Sequence, residues 1–476
     1  MAPRGARLNV LYMDCHDLGD WLPAYGRPYL RAPHLTRLGE EGAVFTRYFA
    51  TAPICTPSRA TMFTGNMPHT CGVTAQNALG LDQVCLAERF RRAGYRTVLA
   101  GRLQIKNDPA WVGFERVLPA ERGDSAAAEA AARFLLEEAG GSAPDLPFVL
   151  SLSFHLVHRP IGLEHDPQLA DEVAVPPALP DEPDVRRDLA VFCRAIEALD
   201  AHVGVVLEAL RRAGLEDDTI VVFTTDHGAP FPRAKHTLYD PGIKTALVLH
   251  YPPAIRAGTR PAQLLSNTGL MPTLLELAGC AVPTDVLGRS FAGVLETVQG
   301  SAFNVQGSTG GLDAVFAEHT WGTRGGRWQY IPGRCVRTAR HKYIRSYTPQ
   351  PPFADNGWLQ RFPARRAWLE DLFGRPQPEE ALYDLEADPH EFTNLAADPA
   401  HAAVRAALAA RMDRFLAETD DPILRGPVPH PEGKPEAPQF LPDGHGRYRL
   451  APTDPADTGE RPFSAVPAPP LSASGA

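Results

Sequence analysis

Four short apolar runs, "LNVLYM", "YRTVLA", "PFVLSLSF" and "TIVVFTT", each stop at a polar cluster. Runs of this length, rich in Val, Leu and Phe, read as buried strands. The first leads into Asp14, Cys15, His16 and Asp17, and the second into Gly101, Arg102 and Gln104. The third leads into His155 and His158, and the fourth into Asp226 and His227. Between the last two runs, Leu189, Phe192, Ile196, Leu199, Val203, Val206 and Leu210 recur at spacings of three and four, the stripe of an amphipathic helix. Strands alternating with helices predict an α/β sheet covered on both faces. Ligands of such sheets sit beyond the carboxyl ends of the strands, so the four clusters are expected to form one composite site.

The pattern changes after Gly300. "CVRTARHKYIRSY" and "EEALYDLEADPHEFTNL" read as short strands and turns, and Val404, Leu408, Met412 and Phe415 mark one face of a helix. The expected organisation is a large domain over residues 1–310 and a small α+β subdomain over 311–425. A Pro-rich extended segment follows over 426–476, ending in a disordered tail.

Composition narrows the partners. The 476 residues are 44% hydrophobic and 22% charged, as in ordinary globular chains. A formal charge of -9 argues against nucleic acid or an anionic membrane surface as partner. An anionic small substrate would need a local positive pocket. The N-terminal apolar run ends too soon for a secretory signal or a membrane span. Seven scattered cysteines without a CxxC pair suggest a reducing, cytoplasmic setting rather than a disulfide scaffold.

The stretch "CTPSRATMFTG" carries the most specific chemistry. Pro57 suits a first helical turn, and Gly65 a stop. Cys55 then sits at a helix N-terminus, where free amides favour an anion or a thiolate. Arg59, one turn on, can hold a tetraoxo anion through two donors. A buried structural cysteine is the plain alternative.

This stretch resembles the sulfatase signature C-x-P-S-R-x-x-x-L-T-G, departing at Phe63, and "PHTCG" is similar to the family's H-x-x-G. The resemblance spans residues 8 to 425 and implies an alkaline-phosphatase-like sandwich, a large mixed sheet between helices. It further implies that a formylglycine-generating enzyme oxidises Cys55 to formylglycine, the nucleophile of a sulfuric ester hydrolase. "MDCHDLG" lies where the family carries Asp-Asp-Leu-Gly, so Asp17 is implied as a metal ligand, with His16 or Asp14 supplying the missing one. "TTDHGAPFPRAKHTLYDPG" implies Asp226 and His227 as ligands and Lys235 as the cation near the leaving oxygen. Its Pro-Phe-Pro turn is similar to the heparan N-sulfatase branch, as "HDLG" and "FAEHT" are to bacterial relatives of that branch.

"SFHLVHRP" resembles H-x-P-H-x-P, which implies His158 as general acid with His155 orienting it. "GRLQ" departs from the family's Gly-Lys-Trp-His. Arg102 can replace the lysine as a sulfate contact, but Gln104 cannot act as a base, and Lys106 could reach in from a shifted register. Glu318, His319 and Arg334 fall in the segment that borders the pocket in relatives, which implies substrate contacts. Oxygen-rich ligation favours calcium, and the histidines shift the site towards manganese or magnesium. The expected substrate is a small sulfated anion, an ester or a sulfamate on a sugar. A phosphodiester or phosphonate monoester hydrolase of the same superfamily, or a degenerate binder of sulfated ligands, are the competing readings.

Overall fold

The computed structural model describes residues 7–76, 81, 83–105, 108–119, 123–139, 146–296, 310–324, 327–348 and 377–433, with strand segments 440–442 and 448–450. Its strands are β1 (Asn9–Cys15), β2 (Ala43–Val44), β3 (Tyr48–Phe49), β4 (Arg96–Gly101), β5 (Arg116–Val117), β6 (Phe148–Phe154) and β7 (Thr219–Thr225). They continue with β8 (Leu247–His250), β9 (Leu265–Ser266), β10 (Ala314–Arg324), β11 (Arg327–Thr338), β12 (His341–Ser346) and β13 (Glu380–Asp384). All four sequence-predicted strands form, as β1, β4, β6 and β7.

Seven strands make the main sheet in the order β2-β8-β7-β1-β6-β4-β5. β1 lies parallel between β6 and β7, while β8 runs antiparallel to β7, so the sheet is mixed. Alternation along β1 divides the core. Leu11, Met13 and Cys15 face the long helix Pro183–Arg212, and Val10 and Tyr12 face the helices Cys55–Thr64 and Leu270–Leu277. Every member of the predicted stripe from Leu189 to Leu210 is buried. At Gly204 that helix meets the His34 ring, which a Cβ would approach to 2.5 Å. A larger residue there would force the His34 ring to move.

Register positions the site. Cys15 pairs with Phe154 on one side and Thr225 on the other, so β1, β6 and β7 end level. The polar residues that follow each strand therefore emerge together at one edge.

The C-terminal region is a four-stranded antiparallel sheet, β10-β11-β12-β13, covered by the helix Ala402–Glu418. That helix buries Leu408, Met412 and Leu416, with Val404 and Phe415 flanking them, so its stripe is centred one residue beyond the predicted one. β10 also ties back to the main domain, since Glu318 N donates to Thr51 O at 2.7 Å and Trp321 N to Thr74 O at 3.3 Å. Past Gly426 the chain lies on the β10–β11 hairpin. Val428 is held by the Tyr330 hydroxyl and the Trp321 indole, at 2.8 and 3.1 Å. The expected disordered tail lies outside the described residues.

Candidate active site

Cys55 is the first residue of its helix, and extended Ile54 precedes it without a side-chain cap. Gly65, in a left-handed conformation at φ 74°, closes the helix. Phe63, the departure from the signature, packs edge-on to Tyr12 and Phe114, at 5.6 and 6.5 Å, which gives the larger ring its place. Asn267 fastens the helix from the side: its amide donates to Ser58 Oγ at 3.0 Å and its carbonyl accepts from Thr51 N at 3.1 Å.

The ends of β1 and β7 are zipped together. Asp17 N donates to Asp226 Oδ1 at 3.0 Å, Leu18 N to Thr225 Oγ1 at 3.2 Å and Gly19 N to His227 O at 2.9 Å. Asp17 itself adopts φ 52°, a left-handed turn, and its carboxylate lies 3.8 Å from Cys55 Sγ. Lys235 Nζ donates to both Asp17 oxygens, at 2.8 and 2.7 Å. Burial pushes the Asp17 carboxyl up, but Lys235 and the neighbouring histidines outweigh it and hold the group well below the usual range. His227 Nδ1–H donates to Gly228 O at 2.9 Å, which turns Nε2 towards Cys55 Sγ at 3.2 Å and Asp17 Oδ1 at 3.3 Å. Cys55 Sγ lies 3.8 Å from Asp17 Oδ1, and burial raises its thiol pKa.

His16, Asp17, Cys55 and Asp226 offer ligand atoms that all lie within 4.8 Å of one another. Neither ring nitrogen of His16 has a hydrogen-bond partner, although Nδ1 is 3.3 Å from Asp226 Oδ2 and the residue is fully buried. Burial, then Arg59 and His155, depress its pKa, which favours the neutral imidazole with one ring nitrogen able to donate a lone pair. Asp14, Asp17 and Asp226 are three buried carboxylates facing two cations, Arg59 and Lys235. An orphaned imidazole and an uncompensated negative charge fit a divalent cation.

Asp14 is placed elsewhere. β1 ends at Cys15, and Asp14 stays on the Val10–Tyr12 face, where Arg59 Nη1 donates to it at 2.8 Å and Ser153 Oγ also binds it. Of the two alternatives left by the sequence, His16 joins the group and Asp14 does not. Arg59 is bound on three sides, with Nε to Asp226 at 3.1 Å and Nη1 also to Ser153 at 3.1 Å, and only Nη2 is buried without a partner.

His155 and His158 stack with ring centroids 4.3 Å apart, and His16 meets His155 edge-on at 4.6 Å. His158 Nδ1–H donates to Arg159 O at 2.6 Å, so Nε2 is the ring nitrogen left to accept a proton. Burial and the adjoining His158 lower His155 to about 3. Asp124, which the sequence did not single out, holds this turn by accepting from His155 N and Leu156 N, at 2.8 and 2.7 Å. Arg102 is exposed just after β4. Gln104, at φ 50°, has a buried Oε1 without a partner, and Lys106 lies outside the described residues.

Two of the three expected substrate contacts are engaged by other protein groups. Glu318 and Arg334 pair across β10 and β11, and both are buried. The Arg334 guanidinium grips Asp421 at 2.6 and 2.9 Å, and Glu318 hydrogen-bonds His69 Nδ1. The two residues are thus tied to His69 and Asp421, although Glu318 Oε1 and His69 Nε2 are buried without hydrogen-bond partners. His319 lies against His236, at 3.3 Å, next in sequence to Lys235. His69 was visible as the H-x-x-G histidine, whereas nothing local marked Asp421 or Ser153.

The architecture is the alkaline-phosphatase-like α/β sandwich, with a carboxylate–histidine group facing a cysteine at a helix start. The family model described as Sulfatase matches residues 17–280, more than half of the chain, which therefore belongs to the sulfatase family. It is a sulfuric ester hydrolase, cleaving a sulfate ester or sulfamate. The chain is 27% identical over 466 residues to an ulvan-active sulfatase of Formosa agariphila, covering 87% of this chain and 76% of that protein. It is 27% identical over 476 residues to human N-sulphoglucosamine sulphohydrolase, covering 88% and 92%. A putative sulfatase from Bacteroides fragilis superposes with a TM-score of 0.70 at 19% identity, over 90% of this chain and 99% of that one. A structure in complex with its substrate D-glucosamine-2-N,6-O-disulfate superposes at 0.66 and 18%, over 89% and 99%.

Proposed function

We propose that this sulfatase acts on a sulfated sugar, with Cys55 converted to formylglycine by a formylglycine-generating enzyme and a divalent cation held by Asp17, Asp226, His227 and His16. The observation that carries the reading is the convergence of three strand ends on Cys55, whose Sγ lies 3.2 Å from His227 Nε2 and 3.8 Å from Asp17 Oδ1. The oxidised residue supplies a hydrated aldehyde as nucleophile, and the cation supplies Lewis-acid polarisation of the sulfate oxygens. Carboxylate oxygens favour calcium, and two imidazoles shift the preference towards manganese or magnesium.

The chain's own residues do the rest. Arg59 Nη2 and Arg102 meet sulfate oxygens, while Asp14 and Ser153 keep the Arg59 plane fixed. Lys235 Nζ holds Asp17 ionised and lies where it can hand a proton to a leaving oxygen or nitrogen. His158, with Nδ1 tied to Arg159 O, presents Nε2 for the same transfer. Gln104 brings no base.

The human relative's name and the substrate in the glucosamine-disulfate complex support a sugar carrying an N- or O-sulfate. Seven cysteines, none of them in a disulfide among the described residues, support a reducing compartment such as the cytoplasm. Sulfate release is to be screened over glucosamine N-sulfate, O-sulfated sugars and aryl sulfates, with bis-p-nitrophenyl phosphate as the phosphodiester control. Mass spectrometry should show the Cys55 peptide losing sulfur and two hydrogens and gaining one oxygen. An active preparation with intact Cys55, or turnover of the phosphodiester alone, refutes the reading. Binding of sulfated sugars without release would favour a non-catalytic binder.

A further inference from the structure

Beside the catalytic centre lies a second cleft of about 510 Å³, walled by the loop after β1, residues 174–179, residues 229–244 and the turn after β13. Its size suits one or two sugar units. Four cations line it, Arg27, Arg233, Lys244 and Arg337, against two carboxylates, Asp20 and Asp240. Asp20 is shared by Arg27 at 2.9 Å and Lys244 at 3.2 Å. Asp240 is held by Arg337 at 3.1 Å and by buried Lys342 at 2.5 Å. Lys342 is shared with buried Glu391 at 2.8 Å, so the positive excess of the lining rests on its four cations against two acids, in a chain whose formal charge is -9.

Arg233 forms no ion pair among the described residues. Its guanidinium donates to Glu391 O at 2.8 Å and lies over the rings of Tyr239, at 4.0 Å, and Phe392, at 5.2 Å. Phe392 is an aromatic left 52% exposed at the rim, and across the cleft Arg27 covers the Trp21 ring at 4.4 Å. Apolar ring faces flanked by excess cations suit a ligand with both C–H faces and anionic groups.

We propose that this cleft is a non-catalytic subsite that binds a further sulfated unit of a carbohydrate chain, its pyranose face against Phe392 and its sulfate against Arg233. The inference rests on the sulfated-sugar reading of the catalytic centre. The two sites share their loops: Gly19 follows Asp17 by two residues, Ala229 follows His227 by two, and Ala234 precedes Lys235. The cleft is thus walled by the chain segments that carry the catalytic residues, and a ligand long enough to reach both sites should be favoured over a monosaccharide.

The test is calorimetric titration of Cys55→Ala protein, which does not turn over, with a sulfated hexasaccharide. An unsulfated polyuronate of equal length and inorganic sulfate are titrated in parallel. Arg233→Met should weaken the sulfated oligosaccharide by about fivefold, the worth of one partly exposed ion contact, and Phe392→Ser, made separately, by about the same factor for the lost ring contact. In active protein the same changes should raise KM for the oligosaccharide and leave kcat/KM on a sulfated monosaccharide unchanged. Affinity equal to the parent in both variants overturns the subsite, and equally tight polyuronate overturns its assignment to sulfate. If the parent hydrolyses no sulfated sugar, the substrate reading falls, and titration of the Cys55→Ala protein still decides the cleft.

Discussion

Replacing Arg59 by methionine should destabilise the protein severely, and the geometry says how much. The guanidinium is 1% exposed and touches two buried carboxylates, Asp14 at 2.8 Å and Asp226 at 3.1 Å. At an effective dielectric of about 20, each contact is worth roughly 5 kcal/mol of gross Coulomb energy. Much of that offsets the desolvation of all three groups, so the net cost of breaking the pairs is about 3–5 kcal/mol. Against a total stability of about 5–15 kcal/mol, this is a large fraction. Methionine keeps most of the volume, which confines the effect to charge and hydrogen bonds. Arg59→Met also strands Asp14, whose other side-chain partner is the uncharged Ser153. Adding Asp14→Asn removes one stranded carboxylate, so the double variant should recover about half of the loss, 1.5–2.5 kcal/mol. Urea unfolding of the parent, both single variants and the double variant closes the cycle. A cost below about 1 kcal/mol for Arg59→Met, the range of an exposed pair, would refute the reasoning. So would a double variant no more stable than Arg59→Met.

Asp226→Ala should lose bound cation by elemental analysis and lower sulfate release by at least about a hundredfold, as when a preorganised electrostatic contact is removed; full occupancy in that variant would show that the ligand set is wrong. His16→Ala should lower occupancy while Asp14→Asn retains it, because His16 belongs to the ligand group and Asp14 is engaged by Arg59 and Ser153 instead. With Gln104 in place of a base, stopped-flow mixing with a chromogenic sulfate should give a burst of released alcohol before a slower steady rate; Gln104→His should raise only the steady rate, and linear release from the first turnover contradicts this. Burial pushes the His69 imidazole down, but Glu318 and Asp421 outweigh it and raise its pKa above 6.5. That stability is complete below about pH 6.5 and is lost as pH rises through the higher folded value. His69→Gln should therefore flatten the fall in urea midpoint above about pH 6.5, and an unchanged slope would remove His69 from the linkage.

Local pattern was enough for the sheet and for most of the chemistry. β1, β4, β6 and β7 are continuous apolar runs because parallel strands are buried on both faces, and the helix Pro183–Arg212 shows its stripe because only one face is buried. Cys55, Pro57, Arg59 and Gly65 lie within one helix and its stop, so their relation follows from helical geometry alone. The short antiparallel strands β2 and β8 carried no such signal, since strands of two and four residues are too short to show a period.

Choices made across the fold needed tertiary structure. In an extended chain Asp14 and His16 share a side, and only the end of β1 at Cys15, with the turn at Asp17, separates them. Arg334 and Glu318 had the residue types of a substrate wall. Asp421, distant in sequence, and His69 draw them into a buried network, because a buried charge must find a partner wherever the chain brings one. Sequence determined which residues could carry sulfate chemistry, through periodicities and motifs that act over a few residues. Tertiary structure decided which of them meet, because strand register, backbone turns and charge pairing act between segments that are hundreds of residues apart.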